Sequence, residues 1–376
     1  MNLKPIYIYL ESGVYLEAKS FGCDGTRVGE IVFNTAMSGY QEIMSDPSYA
    51  GQFVVFTMPE IGIVGTNDDD LESNTIHASG MFVRSLNETF SNFRATDSLS
   101  NFLKKHNCLG VCEIDTRFLT KIIRDSGPQM MIVSTEVKSK DKLKDILEES
   151  PRIEEINYIE RVSTKEPYIH RSGAWDDKKL AYKSASNSLN KKILAIDFGV
   201  KRNILNELCE VGLEVEVIPS NFDTDEVIKR YEKGEIKGLF LSNGPGDPLV
   251  LKNEVKKIQK LIEANIPMFA ICLGHQLLSI AHGYPTYKLK FGQHGSNHPV
   301  KNQHSKIVEI TSQNHNYNVP KEICNIAKVT HINLFDDTIE GVKYIDKPIF
   351  SVQHHPEASP GPHESKYIFK EFANSL

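Results

Sequence analysis

The 376-residue sequence lacks a basic excess, a long apolar run at its start and closely paired cysteines. Lys and Arg number 43 against 49 Asp and Glu, so the net charge of -6 offers no surplus to neutralise a phosphate backbone. A nucleic-acid partner is therefore not expected. About six apolar residues precede Glu11, too few for a secretory core or a membrane span. We expect a cytoplasmic protein that does not enter a membrane.

Cysteine is sparse, and the motifs of common metal and nucleotide sites are missing. The six cysteines form no C-x-x-C pair, and a chain of this length can bury a core without disulfides, so reduced thiols are expected. There is no H-E-x-x-H and no G-x-x-x-x-G-K-[S/T] motif. A metal site remains an alternative to the interpretation below, although its ligands match no zinc spacing; they would be His294, His298, His354 and His355.

The length predicts two domains, each large enough for its own core. Hydrophobic residues make up 40% and charged residues 24%, as in ordinary globular chains. Residues 161–191 are polar and rich in Ser, Asn and Lys, which is typical of a linker. We therefore predict an N-terminal domain at 1–160, a linker at 161–191 and a C-terminal domain at 192–376.

The C-terminal domain alternates short apolar runs with helical spacing. Strands are predicted at 193–197, 213–218, 238–242 and 267–271, with helices at 200–211, 224–233 and about 249–264 between them. Repeated β-α units predict an α/β fold with a doubly wound, mostly parallel sheet. Such sheets bind ligands at the carboxyl ends of their strands, so chemistry is expected in the loops that follow 197, 242 and 271.

The N-terminal domain has a weaker pattern. Five segments are strand-like, and two others, SLSNFLKKH and TRFLTKIIRDSG, have helical spacing. We predict a separate α+β domain, whose role the pattern alone does not indicate.

Cys272 stands between the apolar strand PMFAI and a helix that continues LGHQLLSIA. A residue at such a strand-to-helix turn projects above the sheet edge, where the helix N-terminus favours a thiolate over a thiol. This position is typical of a catalytic nucleophile. Since most free cysteines are simply buried, the alternative is that Cys272 packs as a small apolar residue at the sheet edge. Neighbouring motifs must decide between these two roles.

Two further motifs follow strands of the same predicted sheet. The turn SNGPGDP at 242–248 has glycines that let backbone N–H groups approach an oxyanion, together with the N–H of Leu273. In the segment QHHPE at 353–357, His355 could act as the base for Cys272. Glu357, two residues further along an extended segment, could orient the imidazole. Without Cys272, the segment SNGPGDP could be explained as a tight turn and the segment QHHPE as a solvated loop.

The motifs ICLGHQ, SNGPGDP and HHPEASPGPH resemble those of class I glutamine amidotransferases. The segments DFGVKRNIL (197–205), FGQHGSNHPV (291–300) and VFNTAMSGYQEIMSDPSYAGQ (32–52) resemble, more specifically, the small subunit of carbamoyl phosphate synthetase. The resemblance extends over nearly the whole chain, and its N-terminal part separates this family from other glutaminases that share the triad context.

The resemblance implies that Cys272 attacks the side-chain amide of glutamine, His355 transfers the proton and Glu357 orients His355. The products would be glutamate and ammonia. It also implies a glutamine pocket formed by Ser48, Gly244, Gly246, Leu273, Gln276 and Asn314, with Asn316 and Tyr317 beside it.

The chain departs from the family pattern at two places. Asn316 and Tyr317 stand where Gly-Phe is common; Asn tolerates a left-handed backbone, and Tyr keeps an aromatic wall. His354 stands where Gly usually precedes the catalytic His, which makes it the alternative base to His355.

The resemblance implies that the chain is a glutaminase subunit of the carbamoyl phosphate synthetase family, which would pass ammonia to a large subunit in a heterodimer or a higher oligomer. No cofactor is expected in this chain, since the resemblance assigns ATP and a divalent metal to the large subunit. The product would feed arginine biosynthesis, pyrimidine biosynthesis or both. The alternatives are the glutaminase of another synthase, a cysteine peptidase and an inactive scaffold that keeps the triad.

Overall fold

The computed structural model describes residues 3–376, which fall into two compact units. Unit 1 comprises Met1–Tyr158 and Leu289–Gly295, and unit 2 comprises Ile159–Lys288 and Ser296–Leu376. The first division lies close to the predicted boundary at 160. The assignment of 289–295 to unit 1 was not predicted, because this stretch lies inside one long strand and has no composition of its own.

Unit 1 is built on a closed barrel of seven strands in the order β1-β2-β8-β6-β4-β3-β9. Its strands are β1 (Lys4–Leu10), β2 (Tyr15–Ser20), β3 (Thr26–Asn34), β4 (Gln52–Phe56), β5 (Glu60–Ile61), β6 (Gly80–Phe82), β7 (Ser85–Leu86), β8 (Leu109–Cys112) and β9 (Gln129–Ser134). The helices are α1 (Tyr40–Ser45), α2 (Leu99–Lys105), α3 (Thr116–Ser126) and α4 (Lys140–Glu149). The small pair β5 and β7 forms a separate two-stranded sheet.

The barrel has a core because its strands alternate between two sides. In β4, Phe53 and Val55 join one buried cluster, which draws on all seven barrel strands, whereas Val54 and Phe56 join another. Two of its helices begin at N-capping residues: Ser98 accepts from the N–H of Asn101, and Asp115 accepts from that of Phe118. The N-terminal domain is thus α+β, as predicted.

Unit 2 contains a ten-stranded sheet in the order β10-β14-β13-β15-β16-β21-β20-β19-β17-β18 and a small hairpin, β11-β12. Its strands are β10 (Tyr168–Ile169), β11 (Ser172–Asp176), β12 (Ala181–Ser184), β13 (Lys191–Asp197), β14 (Leu213–Pro219), β15 (Gly238–Leu241), β16 (Met268–Ile271), β17 (Tyr287–Asn302), β18 (Val308–Asn318), β19 (Ala327–Asn333), β20 (Ile339–Tyr344) and β21 (Ile349–Val352). The helices are α5 (Ile159–Val162), α6 (Arg202–Glu210), α7 (Thr224–Glu232), α8 (Lys252–Glu263), α9 (Leu273–Ala281) and α10 (Tyr367–Ser375).

The doubly wound sheet predicted for this half is confirmed in the run β14-β13-β15-β16-β21, where all neighbours are parallel. Leu194 and Ile196 of β13 pack into one buried cluster, and Ile193 and Ala195 pack into the cluster on the other face. Helices cover both faces, which explains why these strands read as continuous apolar runs. The carboxyl ends of β13, β15, β16 and β21 therefore meet at one edge.

Beyond β21 the sheet continues with antiparallel neighbours, β20 and then β19. These strands and β18 form an extension that the sequence pattern did not predict. It matters for the site because β18 carries Gln313, Asn314, Asn316 and Tyr317.

Residues 161–191 were predicted as a linker, but they fold as part of unit 2. Strand β10 pairs with β14, and the hairpin β11-β12 packs beside α6. Most side chains of the segment are exposed, which is consistent with its polar composition. Its small apolar contact is between the rings of Trp175 and Tyr182. Among residues 3–376 no helix has the length and apolar character needed to cross a membrane.

Candidate active site

Cys272 occupies the turn between β16 and α9, as predicted. Its φ of 53° and ψ of -107° are unusual for a residue with a side chain, and its side chain is buried, with Sγ 3.6 Å from the carbonyl oxygen of Asn314. The turn is this sharp because Gly274 lies directly against β15: a Cβ there would stand 2.4 Å from the carbonyl oxygen of Leu241. Strain of this kind is typical of functional positions.

His355 and Glu357 meet in the segment that follows β21. Nδ1 of His355 lies 2.7 Å from Oε1 of Glu357, and the backbone N–H of His355 donates to the carbonyl of Ser312 on β18. Since Nδ1 is engaged by the carboxylate, Nε2 is the nitrogen that remains for the thiol of Cys272. The structure thus brings the three predicted triad residues together.

The triad is buried, and its charges depend on one another. Burial disfavours the charged imidazole, but the charge of Glu357 and the neighbouring sulfur of Cys272 outweigh burial and raise the pKa of His355 to about 10. Burial likewise disfavours a charged Glu357, but the ammonium of Lys201 and the imidazole of His355 lower the pKa of Glu357 to about 2. An imidazolium beside the sulfur favours the thiolate form of Cys272.

Lys201 was missed as a site residue. It is 3% exposed and lies at the carboxyl end of β13, where its Nζ is 3.0 Å from Oε1 of Glu357 and 2.5 Å from the carbonyl oxygen of Ala358. Close by in the sequence, Asn203 donates to the carbonyl of Glu357 at 2.7 Å. The only signal in the sequence was a lysine in a loop already expected to carry chemistry. A buried lysine needs a partner, and the partners of Lys201 lie far along the chain.

The turn after β15 lies beside the loop of Lys201. Oγ of Ser242 accepts from the N–H of Phe198, and Oδ1 of Asn243 accepts from the N–H of Lys201. Gly244 approaches so closely that a Cβ would stand 2.3 Å from the carbonyl oxygen of Phe198 and 2.7 Å from Leu273. Gly246 has a φ of +89°, which favours glycine. Gly244 and Leu273 are therefore adjacent, as an oxyanion-binding turn requires. That their backbone N–H groups bind an oxyanion stays a prediction.

Gln276 is one turn along α9 from Cys272 and is held by two acceptors. Its Nε2 donates to the carbonyl of Tyr317 at 2.9 Å and to Oε1 of Gln353 at 3.0 Å. Asn314, Asn316 and Tyr317 are buried residues of β18. Because Asn316 lies within an extended strand, the left-handed backbone considered for it is not used. The predicted pocket residues of unit 2 are thus grouped around Cys272 and β18.

Ser48 belongs to unit 1, where it is buried in the short 3₁₀ turn Pro47–Tyr49. Oδ1 of Asp46 accepts from its backbone N–H at 2.9 Å, which fixes the turn. Its role in glutamine binding stays a prediction.

His354, the alternative base, is fully buried and has a different neighbour from His355: its Nδ1 is 3.7 Å from Oε2 of Glu340. Among residues 3–376 there is no group of three or more His, Cys, Asp or Glu side chains that could hold a metal ion. His298 is mostly buried, which lowers its pKa to about 4 and keeps the imidazole neutral.

This arrangement has the parts needed for acyl transfer through a thioester. A sulfur nucleophile stands at a helix start, an imidazole can take and return a proton, and a carboxylate fixed by a buried ammonium orients the imidazole. The backbone N–H of Leu273, at the start of α9, has no partner within the helix and can bind a developing oxyanion.

Comparison with known proteins gives the same picture for both units. Residues 194–375 match the family Glutamine amidotransferase class-I, and residues 8–133 match the family Carbamoyl-phosphate synthase small chain, CPSase domain. A solved structure from Thermoplasma acidophilum, described as that of a GMP synthase subunit, has a TM-score of 0.42 at 22% identity, covering 49% of this chain and 93% of that chain.

Curated relatives match over nearly their whole length. The protein named carbamoyl phosphate synthase small chain in Campylobacter jejuni is 60% identical over 98% of this chain and 99% of the relative. Proteins of the same name are 59% identical in Helicobacter hepaticus, over 99% of this chain and 98% of the relative, and 44% identical in Aquifex aeolicus, over 98% of each. This chain therefore belongs to the family of carbamoyl phosphate synthase small chains, enzymes with a class I glutamine amidotransferase domain.

Proposed function

We propose that this chain hydrolyses glutamine to glutamate and ammonia and delivers the ammonia to a large synthetase chain, which makes carbamoyl phosphate from bicarbonate and ATP. The observation that carries the proposal is the buried constellation of Cys272, His355 and Glu357 at the carboxyl edge of the parallel sheet. The family to which the chain belongs makes glutamine the substrate of choice for this constellation.

In the first half-reaction, Sγ of Cys272 attacks Cδ of the glutamine side chain, and the carbonyl electrons move onto oxygen. The N–H groups near Gly244 and Leu273 bind the oxyanion. When the intermediate collapses, the C–N bond breaks, Nε2 of His355 gives its proton to the leaving nitrogen, and ammonia departs. A γ-glutamyl thioester remains on Cys272.

In the second half-reaction, His355 is neutral and takes a proton from a water molecule that attacks the thioester carbonyl. The C–S bond then breaks, which returns the thiolate and releases glutamate. Apart from the attacking water, every acid, base and nucleophile in these two half-reactions is a side chain of this chain, so we propose no cofactor for the glutaminase step. ATP and a divalent metal belong, in this proposal, to the large chain.

The partner is proposed on the same basis: relatives that are named small chains imply a large chain, and a glutaminase needs an acceptor for its ammonia. The test is direct. The full chain, mixed with the large chain of a carbamoyl phosphate synthase, should release glutamate from glutamine and much less aspartate from asparagine, which is shorter by one methylene. Absence of glutamate release in the presence of the large chain, bicarbonate and ATP would contradict the proposal.

A further inference from the structure

A second buried carboxylate lies beside the catalytic segment and is not used by the proposed chemistry. Glu340 of β20 is 0% exposed, and its backbone carbonyl accepts from the N–H of Gln353 at 2.9 Å. Gln353 is followed directly by His354 and the catalytic His355. The backbone of Glu340 thus anchors the start of the segment that carries the imidazole base.

Two amide groups donate to this carboxylate. Nε2 of Gln313 lies 3.0 Å from Oε2 of Glu340, and Nδ2 of Asn333 lies 3.4 Å from Oε1. Burial would raise the pKa of Glu340, but His354, His315 and the amide of Gln313 outweigh it and lower the pKa below its usual value. Glu340 is therefore a buried anion, and a buried anion is costly unless cationic or polar groups offset it.

His354 is placed to offset this charge. The imidazole is 0% exposed, its Nδ1 lies 3.7 Å from Oε2 of Glu340, and neither ring nitrogen has a hydrogen-bond partner among the described residues. Its ring also lies 5.3 Å from the ring of His331, whose own nitrogens are engaged by Thr330 and Tyr367. His331 therefore does not compete for Glu340, and His354 is the closest imidazole to the carboxylate in the described structure.

The carboxylate is connected to the glutamine pocket by a chain of side chains on β18. Gln313, held by Glu340, has its Oε1 3.1 Å from Nε2 of His315, and Nδ1 of His315 lies 2.8 Å from the carbonyl oxygen of Tyr317. That carbonyl also accepts from Gln276. A displacement of Gln313 would therefore be transmitted to the strand that lines the predicted pocket.

We propose that His354 and Glu340 form a coupled pair that positions the glutamine pocket, with His354 as the positioning residue that offsets the charge of Glu340. This inference rests on the proposed glutaminase function. The pair acts on substrate binding more than on the chemical step, because its connections lead to β18 and Gln276, whereas the orientation of His355 is set by Glu357 and Lys201.

The test is a double-mutant cycle on the full chain with its large partner, using His354→Ala, Glu340→Gln and the double variant. His354→Ala leaves the buried carboxylate without its nearest imidazole. We expect the KM for glutamine to rise about tenfold with kcat within about threefold, and the unfolding midpoint to fall by several degrees. Glu340→Gln removes the charge itself, so the double variant should recover a KM within about threefold of the wild type and most of the lost midpoint.

The matched control is His282→Ala, which removes an imidazole stacked on Tyr344 in the same unit. It should lower the unfolding midpoint without changing KM, and Glu340→Gln should not rescue it. Additive effects of His354→Ala and Glu340→Gln on both KM and the midpoint would overturn the inference, as would a loss of kcat by orders of magnitude in His354→Ala. If the wild type releases no glutamate, the proposed function fails. The unfolding midpoints of the double-mutant cycle still show whether His354 and Glu340 are coupled.

Discussion

Lys201 and His355 share one oxygen atom of Glu357. Oε1 lies 3.0 Å from Nζ of Lys201 and 2.7 Å from Nδ1 of His355. The carboxylate therefore stands between two cationic groups, and all three side chains are buried. Its position is fixed by Lys201, and the ring orientation of His355 is fixed in turn by the carboxylate, so the ammonium influences catalysis without touching the reacting atoms.

Replacement of Lys201 by Met should damage both stability and activity. Removal of the ammonium leaves Glu357 as a buried carboxylate with one partner fewer, which should lower the free energy of unfolding by about 3 kcal/mol. A less well oriented imidazole should lower the kcat for glutamine hydrolysis about tenfold, or about 1.4 kcal/mol in the barrier. Urea unfolding followed by the fluorescence of Trp175, the single tryptophan, and steady-state glutamate release measure the two effects.

The control is Lys260→Met, which breaks an exposed ion pair with Asp225 at 3.6 Å. This variant should change the free energy of unfolding by no more than about 0.5 kcal/mol and leave kcat unchanged. An equally small effect of Lys201→Met would show that the buried ammonium is not needed to hold Glu357.

The lowered pKa of Glu357 gives a defined acid dependence of stability. The folded value is about 2, whereas the ordinary value is 4.5. A carboxyl whose pKa is lowered by folding contributes stability that is complete above about pH 4.5 and is lost as the pH falls towards 2. The raised pKa of His355 acts at the other end: its contribution is complete below about pH 6.5 and is lost as the pH rises towards 10.

In the acid range the imidazole of the wild type is charged in both the folded and the unfolded chain, so of the two groups only Glu357 gives its stability a pH dependence there. In the double variant His355→Asn/Glu357→Gln neither group titrates, so the difference in unfolding free energy between the wild type and this double variant should shrink by about 3 kcal/mol between pH 5 and pH 2. Urea unfolding followed at Trp175 at several pH values measures it. A difference that stays constant over this range would mean that the pKa of Glu357 is not lowered in the folded chain.

The sequence predicted the part of the fold in which local pattern and tertiary structure agree. Strand β13 and helices α6 and α7 lie almost where their periodicity placed them, because each buried strand is apolar throughout and each helix has one apolar face. The barrel of unit 1 could not be predicted in this way. Its closure depends on the pairing of β1 with β9, as in Tyr7 opposite Ser134, and no local pattern specifies so distant a partner.

The site residues likewise fall into those that could be predicted from the sequence and those that could not. Cys272, His355 and Glu357 follow strands of one parallel sheet, so their proximity was predictable from the rule that carboxyl ends share an edge. Lys201 and Glu340 were not predicted as site residues, because a charged residue is recognised as buried only when its partners are seen. Those partners, Glu357 for Lys201 and Gln313 for Glu340, are distant in the sequence.

His355 rather than its neighbour should be the base. His355→Asn removes the imidazole that is hydrogen-bonded to Glu357, so kcat for glutamine hydrolysis should fall by at least about 10³-fold. The imidazole of His354 cannot substitute, because it faces Glu340. Steady-state rates of His355→Asn and His354→Ala decide between them. If kcat falls by orders of magnitude in His354→Ala while His355→Asn remains active, His354 is the base and the assignment is reversed.

Cys272 should be the thiol that a glutamine-like chloroketone modifies. Burial raises the pKa of the Cys112 and Cys209 thiols to about 12 and raises that of Cys108 as well, so these groups remain protonated and unreactive at neutral pH. Cys324 is exposed and serves as an internal control. Peptide mass spectrometry should show that glutamine protects Cys272 but not Cys324. Modification of Cys324 without Cys272 would contradict the assignment of the nucleophile.

The division of labour between the two chains can be tested with Cys272→Ser. A serine hydroxyl is not ionised by a helix start and an imidazole alone, so thioester formation should fall by about 10³-fold or more while the packing of the buried turn is retained. Assayed with the large chain, bicarbonate and ATP, the variant should make almost no carbamoyl phosphate from glutamine. It should use ammonium at close to the wild-type rate, because Cys272 acts only in the release of nitrogen. It is assayed in the assembled complex.

Copurification of the variant with the large chain is the control for assembly. If the assembled complex also loses ammonium-dependent synthesis, Cys272 takes part in the synthetase step, and the proposed separation of roles is wrong.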